Sequence, residues 1–238
     1  MQQQKWSSVA VVLPGTGSDA DFADRAFNAP LAQVGVQTIA VEPDPRRVVD
    51  SYREAMERAA RTHGRILVGG VSIGAAVALS WAAENPDRVG AVMAALPPWT
   101  GSPRDAPAAA SARFTATQLR AHGLDAVTSD MTASSPAWLA DELSRSWRSQ
   151  WPDLPAALDE AAGYHALDEA ALARIRTPVG IAAAVDDAVH PITVAEQWAA
   201  MLPNAELSTL ELREIGADPG VLGRACLAAL DRLRGPRP

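Results

Sequence analysis

The sequence predicts an α/β fold, a doubly wound, mostly parallel sheet of about six strands carrying a helical insertion, and three observations predict it. Short apolar runs near 8–13, 36–41, 65–70, 89–95, 178–185 and 205–211 alternate with helical patterns. Residues 65–84 read as a buried strand, one sharp turn and a helix that starts at once. The alternation then breaks between about 97 and 177, where helical patterns run on without a convincing strand.

The first strand ends in Leu13-Pro14-Gly15-Thr16-Gly17-Ser18, a glycine-rich loop, and a helical stretch interrupted by Pro30 follows. Asp44-Pro45 opens the next helix, Arg46 to Thr62, whose Val48, Val49, Tyr52, Met56, Ala59 and Ala60 form one apolar face. Gly64 follows its end. At Gly70-Val71-Ser72-Ile73-Gly74 the chain fits G-x-S-x-G, the nucleophile elbow. Small residues two before and two after the serine let strand and helix approach, and they hold the hydroxyl at the mouth of the sheet. The Ile73 N–H and the helix N-terminus then face the place where an oxyanion would form. A plainer role for Ser72 is to cap the helix from Ile73.

Residues 98–176 are the expected cap or lid, inserted into a core made of 1–97 and 177–238. Pro97-Pro98-Trp99 and the Pro/Ala/Ser stretch to Ala112 read as a linker, and helices are expected at 112–122, 136–149 and 153–162. Trp138 and Trp147 read as the insertion's own core. Trp99, with Gly15 and Gly17, is a candidate to line an apolar substrate pocket. At the other end, Asp218-Pro219 repeats the helix opening of Asp44-Pro45, ahead of the apolar face Val221, Leu222, Ala225, Cys226, Ala229 and Leu230.

With 238 residues, 48% of them hydrophobic, the chain is long enough for one sizeable core. A net charge of −7 leaves no basic stripe for phosphates, so neither nucleic acid nor an anionic membrane is expected as a partner. The expected partner is a small apolar or acyl molecule, met by the chain alone or as a homodimer. One cysteine, Cys226, permits no internal disulfide, and the four scattered histidines offer no pair at metal-ligand spacing. No metal or cofactor is expected. Met1 to Ser8 carries one lysine and is followed by an apolar run of only five residues, Val9 to Leu13, too short for a leader or a membrane span, which predicts a cytoplasmic protein.

Taken in this order, the glycine-rich loop, the elbow, the insertion and the acidic loop after the following strand resemble the α/β-hydrolase superfamily over nearly the whole chain. The resemblance implies a serine hydrolase acting on a small ester, thioester or lactone through an acyl-enzyme on Ser72. It also implies that the Thr16 N–H opposes the Ile73 N–H in an oxyanion hole. Asp187, four residues before Pro191, matches the family's acid, with Asp186 the second choice. The chain begins at what would be the family's third strand.

The departure is the base. Where the family carries a histidine, between the last strand and the terminal helix, this sequence reads Ile215-Gly216-Ala217-Asp218-Pro219. A serine without an imidazole is a poor nucleophile at neutral pH. His190, three residues after Asp187, is one replacement; His122 or His165 from the insertion, or Asp218 acting through water, are others. His63 fits a surface residue at a helix C-terminus. Without a base the chain would be a hydrolase-shaped binding protein. A third reading takes Gly15, Gly17 and Glu42 as a dinucleotide-binding fingerprint, G-x-G-x-x-A followed by an acid.

Overall fold

A computed structural model of the chain describes residues 7–234. The reading of the first residues falls, for Met1–Trp6, outside that range. Six strands form one sheet: β1 (Val9–Leu13), β2 (Gln37–Ala40), β3 (Ile66–Val71), β4 (Val89–Ala95), β5 (Val179–Ala184) and β6 (Ala205–Leu210). Their order is β2-β1-β3-β4-β5-β6, and every neighbouring pair is parallel. Each strand lies within one residue of the apolar run that predicted it. All residues of β1, β3 and β5 are buried, because helices cover both faces and the strands are apolar throughout. The edge strands β2 and β6 are only partly buried, and both carry polar residues.

Three helices precede the insertion: α1 (Ala20–Gln33), α2 (Val48–His63) and α3 (Ile73–Glu84). Between β4 and β5 come α4 (Pro107–Ser134), α5 (Ala137–Gln150), α6 (Leu154–Gly163) and the single turn α7 (Glu169–Leu172). The chain closes with α8 (Ile192–Met201), α9 (Leu212–Ala217) and α10 (Val221–Leu233). Val9, Val11 and Leu13 share one core with residues of α2, α3 and α8, while Ala10 and Val12 share another with residues of α1 and α10, so alternate β1 residues enter two separate cores.

Several local expectations change. α1 runs through Pro30 without a break. Its N-cap is Asp19, whose carboxylate accepts the Phe22 N–H. α2 starts at Val48 rather than Arg46: Asp44 turns back onto the Arg46 N–H, and Glu160 of α6 takes the Val48 and Val49 N–H groups at 2.8 and 3.0 Å. A distant carboxylate thus does the work expected of Asp44-Pro45. Residues 107–111, read as linker, are already helix, with Pro107 in its first turn. α4 also continues past 122, across a kink at Gly123 (φ 79°) that only glycine adopts easily. No helix among the described residues is long and apolar enough to cross a membrane.

Candidate active site

Ser72 sits between β3 and α3 with φ 54° and ψ −118°, a left-handed backbone rare for a residue with a side chain. Two neighbours make that turn possible. A Cβ on Gly70 would lie 2.5 Å from the Leu13 carbonyl and 2.7 Å from the Gly74 carbonyl carbon; one on Gly74 would lie 2.5 Å from Leu13 O and 2.7 Å from Pro14 O. The glycines therefore admit the end of β1 as well as letting strand and helix meet. The Ser72 N–H donates to Ala95 O at 2.9 Å, which ties the elbow to β4. Its hydroxyl does not cap α3.

That hydroxyl lies 2.9 Å from His190 Nε2, and His190 Nδ1 lies 2.8 Å from Asp187 Oδ2. Both members of the second pair come from the loop after β5. Asp187 Oδ1 accepts the Val189 and His190 N–H groups at 2.8 and 3.1 Å, which folds the loop back so that the ring faces the elbow. The Asp187 and His190 side chains are 7% and 16% exposed, and Ser72 is buried. Burial alone would raise the Asp187 pKa. The hydrogen bond and charge of the His190 ring, with the two amides, outweigh burial and hold it below the ordinary carboxylate value. Ionised Asp187 can only accept, so Nδ1 carries the proton and Nε2 presents a lone pair to the Ser72 O–H.

The glycine-rich loop approaches from the other side. A Cβ on Gly15 would lie 3.6 Å from the Ser72 Cβ. Ser18 N–H donates to Gly15 O at 3.1 Å, and Gly17 has φ 69°, the signature of a type II turn with glycine third. Because Gly15 C=O and Thr16 N–H share one trans peptide plane, turning the carbonyl toward Ser18 points the Thr16 N–H the opposite way. Among the described residues no protein acceptor takes that N–H. Ile73 is the first residue of α3, so its N–H has no acceptor within the helix.

Ser72, Asp187, His190, Thr16 and Gly15 all border one cavity of about 760 Å³. Phe22, Val71, Leu96, Val127, Met131 and Leu143 contribute to its largely apolar wall. Asp130, Glu142, Asp186 and Asp187 are its carboxylates, and among the described residues no lysine or arginine lines it. Glu142 is ion-paired with Arg25 and Arg145.

Other candidates stand elsewhere. Asp186 borders the cavity but accepts the Leu212 N–H at 2.8 Å, tying the loop to α9. Asp218 is not at the cavity; it accepts the Gly220 N–H and pairs with Arg224 at 2.7 Å, and these contacts hold its pKa low. Asp218 therefore does not stand where a base for Ser72 would. His63, His122 and His165 are exposed and border no part of the cavity. Trp99 is buried with its indole N–H donated to Tyr164 O at 3.1 Å, and it does not line the cavity either. Gly17 lies behind the cavity wall: a Cβ there would fall 2.9 Å from Trp147 Nε1.

Trp138 and Trp147 both border the cavity and lie against Gly216 and Gly17, and Trp147 is also buried among residues of α4 and α6. A Cβ on Gly216 would fall onto the Trp138 indole, so a tryptophan covers the stretch where the family's histidine would stand.

The dinucleotide reading fails on α1. Asp19 takes the Phe22 N–H and Glu42 takes the Ala20 N–H at 2.9 Å, so carboxylates occupy the helix N-terminus that a pyrophosphate would need. Asp19, Asp21 and Glu142 place carboxylate oxygens within 4.8 Å of one another. Arg25 and Arg145 interleave them, which makes the group an ion-pair network.

Solved structures of similar shape cover nearly the whole chain. An esterase from Thermogutta terrifontis superposes with a TM-score of 0.69 at 16% identity, covering 96% of this chain and 91% of its own. A carboxylesterase from Nitrososphaera gargenis gives 0.70 at 17%, covering 96% and 89%. A hydrolase from Oleispira antarctica gives 0.70 at 15%, covering 98% and 92%. At such identities the likeness is one of fold. No curated protein sequence matches the chain. The family model described as "Alpha/beta hydrolase family" matches residues 3–219, and the chain accordingly belongs to the α/β-hydrolase family.

Proposed function

We propose that the protein is a serine hydrolase of carboxylic esters, with thioesters and lactones as related substrates, working through an acyl-enzyme on Ser72. The observation that carries this reading is the hydrogen-bonded line from Asp187 through His190 to Ser72. In this reading it supplies the base that the usual position lacks, which favours a hydrolase over a binding protein without chemistry.

In this reading His190 Nε2 takes the Ser72 proton as Oγ attacks the acyl carbon. Asp187 holds the ring in the tautomer that can do so and offsets the imidazolium charge. The Thr16 and Ile73 N–H groups receive the oxyanion. A pair of amides aimed at one oxygen in a water-poor site lowers the barrier by about 3 kcal/mol or more. As the tetrahedral intermediate collapses, His190 protonates the leaving alcohol; water then repeats the sequence on the acyl-enzyme.

The inserted helices serve as a cap that walls the substrate. A cavity of about 760 Å³ accepts acyl groups well beyond acetyl. Its carboxylates and its lack of cationic wall residues favour uncharged acyl groups over anionic ones. A chain with one buried cysteine suits the reducing cytoplasm, where we place the activity.

The test is labelling with a fluorophosphonate, followed by mass spectrometry, beside hydrolysis of p-nitrophenyl esters of several chain lengths. A single adduct on Ser72, absent from Ser72→Ala, is expected. If wild type and Ser72→Ala are equally inert to probe and esters, the reading fails.

A further inference from the structure

Within the proposed hydrolase, we infer that Ser146 and Gln150 of α5 are positioning residues for the Thr16 turn, so that the inserted helices assemble the oxyanion hole as well as walling the substrate. Both side chains are buried, at 1% and 4% exposure, although both are polar. Their hydrogen bonds explain why. Ser146 Oγ donates to Gly17 O at 2.6 Å and Gln150 Nε2 to Ser18 O at 2.9 Å, across 129 and 132 residues of sequence.

The turn is held on every side but one. Tyr52 O–H donates to Pro14 O at 3.1 Å from α2, and Ser18 N–H donates to Gly15 O. With the two α5 contacts, the carbonyls of Pro14, Gly15, Gly17 and Ser18 are each fixed. The plane that carries the Thr16 N–H is held through Gly15 O by the turn's own Ser18 N–H, with the Tyr52 contact before it and the two α5 contacts after it. Next along the chain, Arg145 of α5 grips the Asp19 carboxylate through two nitrogens, at 2.9 and 3.0 Å. Trp147 lies against Gly17, where no larger residue would fit.

Small displacements of a donor matter, because the oxyanion must meet it at hydrogen-bond distance as charge develops. Removing the Ser146 contact frees Gly17 O and removing the Gln150 contact frees Ser18 O, so the Gly17–Ser18 peptide, whose N–H closes onto Gly15 O and so orients the Thr16 N–H, can rotate, and glycine offers little resistance. Substrate binding, set by the cavity wall, should be spared.

The test uses Ser146→Ala, Gln150→Ala and the double variant, with Ser146→Thr as the conservative replacement. Arg120→Ala, which breaks an ion pair with Asp159 elsewhere in the insertion, is the control. Each single variant should lower kcat about tenfold and the double about a hundredfold, with KM within about threefold of wild type. The diagnostic readout is the rate ratio of an oxygen ester to its thiono counterpart, whose sulfur anion accepts hydrogen bonds poorly. That ratio should fall in the double variant, recover in Ser146→Thr and stay at the wild-type value in Arg120→Ala. Equal losses on both esters, or no loss in kcat, would overturn the inference.

A second measurement needs no turnover. Amide hydrogen exchange over residues 14–19 should quicken in the double variant while exchange in β3 and β4 stays slow; unchanged exchange there overturns the inference whatever the enzyme's substrate. Failure of Ser72 labelling in the wild type is a separate result and bears on the proposed function alone.

Discussion

His190 Nε2 and Ser72 Oγ meet at 2.9 Å across 118 residues of sequence, and the ring that makes the contact stands on the same loop as Asp187. In the proposed mechanism, base and acid, which the family usually draws from two loops, come from one.

Replacing His190 by Ala should therefore lower kcat/KM by about 10³-fold or more, the usual cost of losing a triad imidazole. Thermal unfolding should show the variant folded, and Asp218→Asn should retain wild-type activity. A His190→Ala enzyme as fast as wild type would place the base elsewhere.

The depressed Asp187 pKa links this site to stability. A carboxyl whose folded pKa lies below its unfolded value stabilises the native state fully above the ordinary carboxylate range. That contribution is lost as the pH falls through the folded value. The stability gap between wild type and Asp187→Asn, followed by urea unfolding from neutral to acidic pH, should thus narrow toward acid. A gap that widens on acidification would contradict the assignment.

Charge at the cavity should be visible in substrate choice. A hemi-ester such as mono-p-nitrophenyl glutarate should show kcat/KM about tenfold below p-nitrophenyl valerate at low salt. Added salt should shrink the difference. Equal efficiencies would mean that Asp130, Glu142 and Asp186 do not act on the bound acyl group.

Two glycines give opposite stability predictions. Gly74→Ala must displace the Leu13 and Pro14 carbonyls and should cost about 1–3 kcal/mol or more. Gly163→Ala, with open space around its Cα in the last turn of α6, should gain about 0.5 kcal/mol. Chemical denaturation of both variants reads the difference.

The central strands were legible because strands buried on both faces are written as short apolar runs, and the partly exposed edge strands β2 and β6 were legible from their place in the alternation. The elbow was legible because Gly70 and Gly74 are required by contacts only small residues permit. His190 stood among several candidates, since its orientation follows from two amide bonds to Asp187, a loop geometry that leaves no periodic mark. Ser146 and Gln150 were passed over for a related reason. Polar residues on a helix announce solvent, and only the docked fold shows that these two meet backbone carbonyls. Trp99 differs the other way: as a tryptophan at the start of the insertion it was a candidate for the pocket wall, while its N–H is spent on Tyr164 and it does not border the cavity.

In the proposed relay, holding acid and base on a single loop also alters the response to motion. Where three loops contribute, two separations vary independently as the scaffold breathes; here the Asp187–His190 spacing is internal to one short segment, leaving only the gap to Ser72 exposed to such drift. Heat or strain should consequently uncouple nucleophile from imidazole while the imidazole still keeps its carboxylate.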